Sequence, residues 1–378
     1  MRIALVMAGG GGSRLWPAST PARPKQFMAL GADRSRSLIA AAVERAAAVA
    51  GPERTFLVTT AELAEAVRAA APQLPRDHVI EEPGPRSTAP CVALALLHIV
   101  ERLRRSGCRE GQIEDTPIVV LPSDHHIGDE RRFAALLVSA CDCAASTRQV
   151  IVLGVNPTRP ETGYGYIERD GGPAQICRDL ALYAALRFVE KPVLARVREF
   201  LASGRFLWNA GVCIATIGRL VGEYQRHTPG LWQAFLPIAA ALREGTPEVA
   251  AARTAAAYAA VAPTSIDVAI LEKLADLQVA ASDVPWTDLG SWAAIREALP
   301  HDEHGNATHV EGDAMVHTMD SRDGLVWTDG PDVTVVGLGG VAVIACGGRV
   351  LVCPLERAQE VRAAAEAALA ERRRSSER

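Results

Sequence analysis

Ile3-Ala4-Leu5-Val6-Met7-Ala8-Gly9-Gly10-Gly11-Gly12-Ser13-Arg14-Leu15-Trp16-Pro17 decides how the rest of the chain is read. The apolar half is too short for a signal peptide or a membrane span, and it runs straight into glycine, so it reads as a buried first strand. The four glycines then remove every Cβ from a turn, which lets backbone amides approach and wrap a polyphosphate. The spacing is neither GxxxxGK[ST] nor GxGxxG, so a P-loop and a dinucleotide fold are both disfavoured. Arg14 within this stretch and Lys25 in Arg23-Pro24-Lys25-Gln26-Phe27 stand close to the loop. They are either the cations that neutralise the β- and γ-phosphates or ordinary solvated surface charges.

Outward from this loop, β-branched apolar runs alternate with Ala-rich amphipathic stretches. Strands are predicted at 3–8, 55–59, 118–121 and 150–155, and helices at 37–50, 61–71, 89–105 and 130–145. The order implies parallel strands with helical crossovers, an α/β domain of Rossmann-like type whose sheet is mixed but mostly parallel. Ligands in such sheets sit beyond the carboxyl ends of the strands. After Pro300 the pattern breaks into short apolar pieces separated by Asp and Gly, at 315–318, 325–328, 333–338, 341–345 and 350–354, with Gly347-Gly348 as a turn and a helical stretch at 358–371. Close, regular spacing of short strands suggests a β-rich, β-helix-like appendage. The expected division is a domain over residues 1–298 and a small C-terminal one over 305–378.

The 378 residues are 49% hydrophobic and 22% charged, which is enough apolar content for a large core. A net charge of −4 without a basic stretch argues against a nucleic-acid partner. Eight scattered cysteines with no CxxC indicate neither a zinc site nor a disulfide framework, and the cytoplasm is the simplest setting. Of the 40 Lys and Arg residues only Lys25, Lys191 and Lys273 are lysine. A chain that prefers arginine this strongly keeps lysine where a compact ammonium on a flexible stem is required, or by chance.

Several further positions carry chemistry. Asp124, just past a predicted strand, and Asp288, between Trp286 and Trp292, are hard oxygen donors of the kind a phosphate-bound Mg²⁺ needs. Turn formation or helix capping is their other use. His125 and His126 point to opposite faces if extended, so no shared ligand role is assigned. Glu190 and Lys191 set a hydrogen-bond acceptor beside a point charge, or else form an exposed salt bridge. Glu82, after the strand at 79–80, can accept from two neighbouring N–H donors at once, or can lie on a loop surface. Trp208, Trp286 and Trp292 read as packing rather than stacking platforms.

The glycine loop with Arg14-Leu15-Trp16-Pro17 and Pro24-Lys25-Gln26-Phe27 resembles the sugar-phosphate nucleotidyltransferases, above all the members that use GTP and mannose 1-phosphate. Seven more segments match in order, from Glu82-Pro83 with Thr88-Ala89-Pro90 and Pro122-Ser123-Asp124-His125, through Pro160 to Ile167, Phe188 to Pro192, Trp208 to Gly211 and Ser265-Ile266-Asp267, to Trp286 through Trp292. The resemblance covers residues 1 to about 295, with the tail similar to the family's small C-terminal domain.

It implies GTP as donor, mannose 1-phosphate as acceptor, and Mg²⁺ on Asp124 and Asp288. It also implies nucleotide contacts at Gly9, Gly10, Gly11, Gly12, Ser13, Glu82, Thr88 and Ala89, and sugar-phosphate contacts at Gly165, Glu190, Lys191 and Asn209. Ala210 departs from the Ser common in the family, which bears on sugar specificity. No isomerase activity is expected, because the chain has no room for the extra domain of longer bifunctional relatives. No membrane partner is expected either, and the open edges of the C-terminal strands suit pairing between two copies.

Overall fold

The computed structural model describes residues 1–9, 13–20, 23–30 and 36–376. Contacts divide the chain into two compact units, one made of Met1–Gly9, Ile39–Ser123 and Ile127–Trp286, the other of Gly10–Leu38, Asp124–His126 and Thr287–Arg378. A continuous 1–298/305–378 division therefore differs from the contact pattern. The reason is apolar: Leu15, Met28 and Leu38 share one buried cluster with Leu289, Trp292, Trp327 and Ile344.

The first unit is built on a ten-stranded sheet. Along its main path the strands run Val79–Glu82, Thr55–Thr60, Ile3–Met7, Pro117–Pro122, Phe206–Thr216, Ile151–Val155, Gln278–Ser282, Leu180–Val189 and Tyr166–Arg169, and Gln175–Cys177 pairs with Leu180–Val189. Ile3–Met7 is parallel to both of its neighbours, Thr55–Thr60 is parallel to Val79–Glu82, and Gln278–Ser282 is parallel to Ile151–Val155. Every pairing made by Phe206–Thr216 and Leu180–Val189 is antiparallel. The sheet is thus mixed as expected but not mostly parallel. Pro117–Pro122 and Ile151–Val155, consecutive among the predicted strands, are separated in the sheet by Phe206–Thr216, an eleven-residue strand that alternation alone does not announce.

Helix Thr88–Arg105 buries Val92, Leu96, Ile99 and Leu103, spaced as one helical face, in the same core as Ile3, Leu5, Phe56 and Val58 of the sheet. Gly154, inside Ile151–Val155, has no room for a side chain: a Cβ there would lie 2.7 Å from Leu207 Cδ1 and 2.7 Å from Val279 Cγ2. Gly154→Ala is expected to destabilise the protein by about 1–3 kcal/mol through overpacking. Urea unfolding reads this directly, and an unchanged midpoint would show that the neighbouring strands yield without strain.

The second unit stacks Ala307–Val310, Leu325–Thr328 and Val341–Cys346 in parallel register, with Val316–Met319 parallel to Val333–Val336 beside them. Such coils are those of a β-helix, as the spacing of short apolar pieces implied. Ala307–Val310 is an additional strand that the spacing does not predict. Gly347 and Gly348, both at positive φ, make the two-residue turn into Arg349–Pro354. Trp327 is the centre of the packing, edge-on to Trp292 with centroids 5.6 Å apart and stacked on His309 at 3.6 Å.

Cysteine usage needs a correction. Cys143 and Cys177 form a disulfide, with Cα atoms 5.8 Å apart. Their separation of 34 residues carries no local signature, since the pair is made by packing helix Glu130–Thr147 against the Gln175–Cys177 hairpin. Among the described residues, no helix is long and apolar enough to cross a membrane.

Candidate active site

In the second unit Pro24, extended at ψ 156°, feeds a single 3-10 turn, Lys25–Phe27, that buries Lys25. Its ammonium donates to Asp124 Oδ2 at 2.8 Å and to the backbone carbonyl of Asp288. One cation thereby ties together positions that lie 99 and 263 residues from it in sequence. The Asp124 side chain is 34% exposed. Burial would push its carboxyl up, but the Lys25 ammonium, with His125 adding to it, wins and holds it below the usual aspartate range. His125 Nε2 stands 3.9 Å from Asp124 Oδ1.

Asp288 is shaped by its own turn. Its Oδ1 accepts from the Gly290 N–H at 2.6 Å, and Thr287 Oγ1 accepts from Leu289 N–H at 3.1 Å. A Cβ at position 290 would come within 2.5 Å of Asp288 Oδ2, so glycine lets the chain fold back over this carboxylate without displacing it. The turn-forming use of Asp288 expected from the sequence is therefore real, and it leaves Oδ2 beside the turn.

Asp124 and Asp288 carry hard oxygen donors of the kind a divalent cation takes, and Lys25 meets the carboxylate of the first and the backbone carbonyl of the second. Among the described residues no cluster of three or more metal-binding side chains occurs, so an ion here would take its remaining ligands from phosphates and water. Arg14, in the turn Ser13–Leu15, donates through Nη1 to Gln359 Oε1 at 3.3 Å. Gly10, Gly11 and Gly12 lie outside the described residues.

The first unit holds the other predicted positions in two groups. Glu82 ends the strand Val79–Glu82 and is only 3% exposed, which excludes the loop-surface alternative. Its Oε1 accepts from the Tyr258 hydroxyl at 2.8 Å. Burial pushes the Glu82 carboxyl up, and the Tyr258 hydroxyl, with the Cys91 thiol adding to it, pulls against that. A Cβ on Gly9 would lie 3.7 Å from Glu82 Oε2, so the carboxylate reaches the point where the glycine run begins.

Thr88 and Ala89 open helix Thr88–Arg105, but their polar groups are spent on the fold. Thr88 Oγ1 accepts from Ile266 N–H, Ala89 N–H donates to the Thr264 carbonyl, and the Ala89 carbonyl accepts from the Tyr224 hydroxyl. Ala89 is fully buried, and its N–H and carbonyl both serve the fold.

Around Asn209 the second group gathers. A bulge in Phe206–Thr216 between Asn209 and Cys213 breaks the register with Ile151–Val155, and such irregularities re-aim side chains. Asn209 N–H donates to the Gly165 carbonyl at 2.8 Å, its Nδ2 donates to Asp267 Oδ1 at 2.9 Å, and its Oδ1 accepts from Gly211 N–H at 3.1 Å. Gly165 in turn has Glu190 against it, since a Cβ there would lie 2.7 Å from Glu190 Oε2. The structure therefore brings Gly165, Glu190 and Asn209 together.

Lys191 pairs with the adjacent Glu190 carboxylate. The two do not diverge as strand neighbours would, because the strand ends at Val189 and Lys191 turns to φ +43°. With side chains 58% and 38% exposed they make the surface ion pair named as the alternative reading, and it is one a bound phosphate can exchange into.

Asp267 stands in a matching segment of the sequence, which gives it no role. The structure seats it against Asn209, where burial, and then the neighbouring Glu190, push its carboxyl up. Tyr258, partner of Glu82, is missed outright by sequence reasoning, and no local signal marks it. Trp208, Trp286 and Trp292 are buried as packing residues. Trp208 and Trp286 both meet Tyr164 edge-on, and Trp208 Nε1 donates to the Tyr166 hydroxyl at 3.0 Å.

Comparison with known proteins bears on this arrangement. Residues 3–305 match the family model described as nucleotidyl transferase, and residues 315–366 match that of the mannoseP isomerase/GMP-like beta-helix domain. The alginate biosynthesis protein AlgA of Pseudomonas aeruginosa is 33% identical over 95% of this chain and 70% of its own length. An Escherichia coli K12 protein named mannose-1-phosphate guanylyltransferase is 32% identical over 96% and 72%. A crystal structure from Thermus thermophilus, named as a mannose-1-phosphate geranyltransferase, superposes with a TM-score of 0.80 at 31% identity, covering 97% of this chain and 98% of that one.

Proposed function

Since the chain belongs to the nucleotidyl transferase family, we propose that it is a GTP-dependent enzyme that transfers the guanylyl group of GTP to mannose 1-phosphate, releasing pyrophosphate. A phosphate oxygen of the sugar phosphate attacks the α-phosphorus in line, the bond to the β-phosphate oxygen breaks, and the electron pair leaves with pyrophosphate. No covalent intermediate on the protein is required.

The observation that carries this reading is the buried Lys25 ammonium held between Asp124 and Asp288. A buried cation tied to two acidic positions just after a glycine run is poised to meet the charge that builds on a departing pyrophosphate. Arg14 adds a second cation, which exchanges its contact with Gln359 for a phosphate oxygen. Asp124 and Asp288 would hold Mg²⁺, which when bound supplies charge neutralisation to the phosphates. Gly9 and Ser13 flank the glycine run in sequence and contact the phosphates with it, and Glu82 accepts from N1 and the 2-amino group of guanine, a pair of donors adenine lacks. Asn209 and Glu190 orient the sugar hydroxyls, Gly165 contributes backbone beside them, and Lys191 meets the acceptor's phosphate. Catalysis then consists of positioning and charge stabilisation.

The proposed setting is the cytoplasm. The test is pyrophosphate release by the purified protein given GTP, mannose 1-phosphate and Mg²⁺, set against a panel of other nucleoside triphosphates and sugar 1-phosphates. Release above the no-enzyme control that is largest for this pair supports the reading, and none with any pair refutes it.

A further inference from the structure

Glu82 is a carboxylate in an unusual position. It is almost wholly buried, and among the described residues no arginine or lysine pairs with it. The Tyr258 hydroxyl that donates to it and the Cys91 thiol that acts beside it are both neutral. A buried acid without a cation is costly unless further donors arrive, and a bound ligand is one source of them. Oε2 reaches Gly9, where the glycine run begins in the sequence, while Oε1 is held by a tyrosine 176 residues away.

That tyrosine is itself rigidly placed. Tyr258 lies in helix Pro247–Ala260, is 3% exposed, and packs its ring on Phe235 with centroids 5.4 Å apart. Its carbonyl accepts from Arg86 Nε at 3.0 Å, so the segment that follows Glu82 is cross-linked to the same helix.

We propose that Tyr258 is a positioning residue for base selection: its hydroxyl fixes the Glu82 carboxylate so that both oxygens face the N1–H and 2-amino donors of guanine. The inference rests on the reading of Glu82 as the acceptor for guanine and adds the residue that orients it. The hydroxyl also favours the ionised form of Glu82 against its burial, and only that form can accept two donors at once. Phenylalanine fills the same space without the hydroxyl, so the substitution isolates one hydrogen bond.

The experiment compares GTP with inosine triphosphate, which lacks the 2-amino group, as donors for the wild-type protein, Tyr258→Phe and Glu82→Gln. The wild type is expected to prefer GTP. Tyr258→Phe should narrow the GTP-over-ITP ratio of kcat/KM by about five- to tenfold, through a higher KM for GTP, with kcat and the KM for mannose 1-phosphate nearly unchanged. A purely structural tyrosine would lower both donors' values together and leave the ratio alone. If Glu82→Gln collapses the ratio and Tyr258→Phe does not, the positioning role is wrong while the base assignment stands. If neither variant moves the ratio, the base assignment of Glu82 fails and the inference falls with it.

Discussion

Lys25→Ala is expected to lower turnover by roughly 10²–10³-fold, the size of effect seen when one preorganised donor to a developing charge is removed. The ammonium is the one group bonded to both Asp124 and the Asp288 carbonyl, and no neighbouring cation replaces it in that position among the described residues. Lys25→Arg should rescue little. A planar guanidinium needs more room than a buried ammonium on a flexible stem, and the two acceptors are set for a point charge. Initial rates of pyrophosphate release measure the loss, and near-ultraviolet circular dichroism confirms that the fold is kept. A Lys25→Ala protein that retains half of the wild-type turnover would remove this residue from the chemistry.

The second large effect is expected at Gly165. A methyl group there would lie 2.7 Å from Glu190 Oε2, with Phe188 Cε1 at 3.3 Å and Asn209 Cβ at 3.4 Å. The closest atom is the far end of a flexible side chain, so Glu190 can swing away and folding stability should change little. What is lost is the placement of Glu190 beside Asn209. Gly165→Ala is therefore expected to reduce kcat/KM for mannose 1-phosphate by about 10²-fold, the cost of an ångström-scale misplacement, with the KM for GTP close to the wild-type value. Titrating each substrate at saturating levels of the other separates the two. If only the GTP KM rises, Glu190 does not serve the sugar.

These two variants show how unevenly the site can be read in the chain. The glycine run, Lys25 and Asp124 each follow or flank a local apolar pattern, and the structure finds Lys25 and Asp124 in contact. Asn209 is marked only by the scarcity of asparagine and by resemblance. Its surroundings depend on a bulge, which arises only when the antiparallel strand Phe206–Thr216 is set between two others. Asp267 and Tyr258 receive no role from the sequence because their partners lie 58 and 176 residues away. Ala89 stands at a helix start, where free N–H groups attract anions, and only the structure shows that its own N–H is taken by the Thr264 carbonyl.

Apolar periodicity is local, so the sequence by itself determined the first strand, the main helices and the change to short β segments beyond Pro300. Pairing between distant segments is not local, because the entropy of closing such loops is repaid only by the assembled core. Tertiary structure alone therefore decided the antiparallel insertion into the sheet, the Cys143–Cys177 link, the seating of Lys25 between Asp124 and Asp288, and the tyrosine behind Glu82.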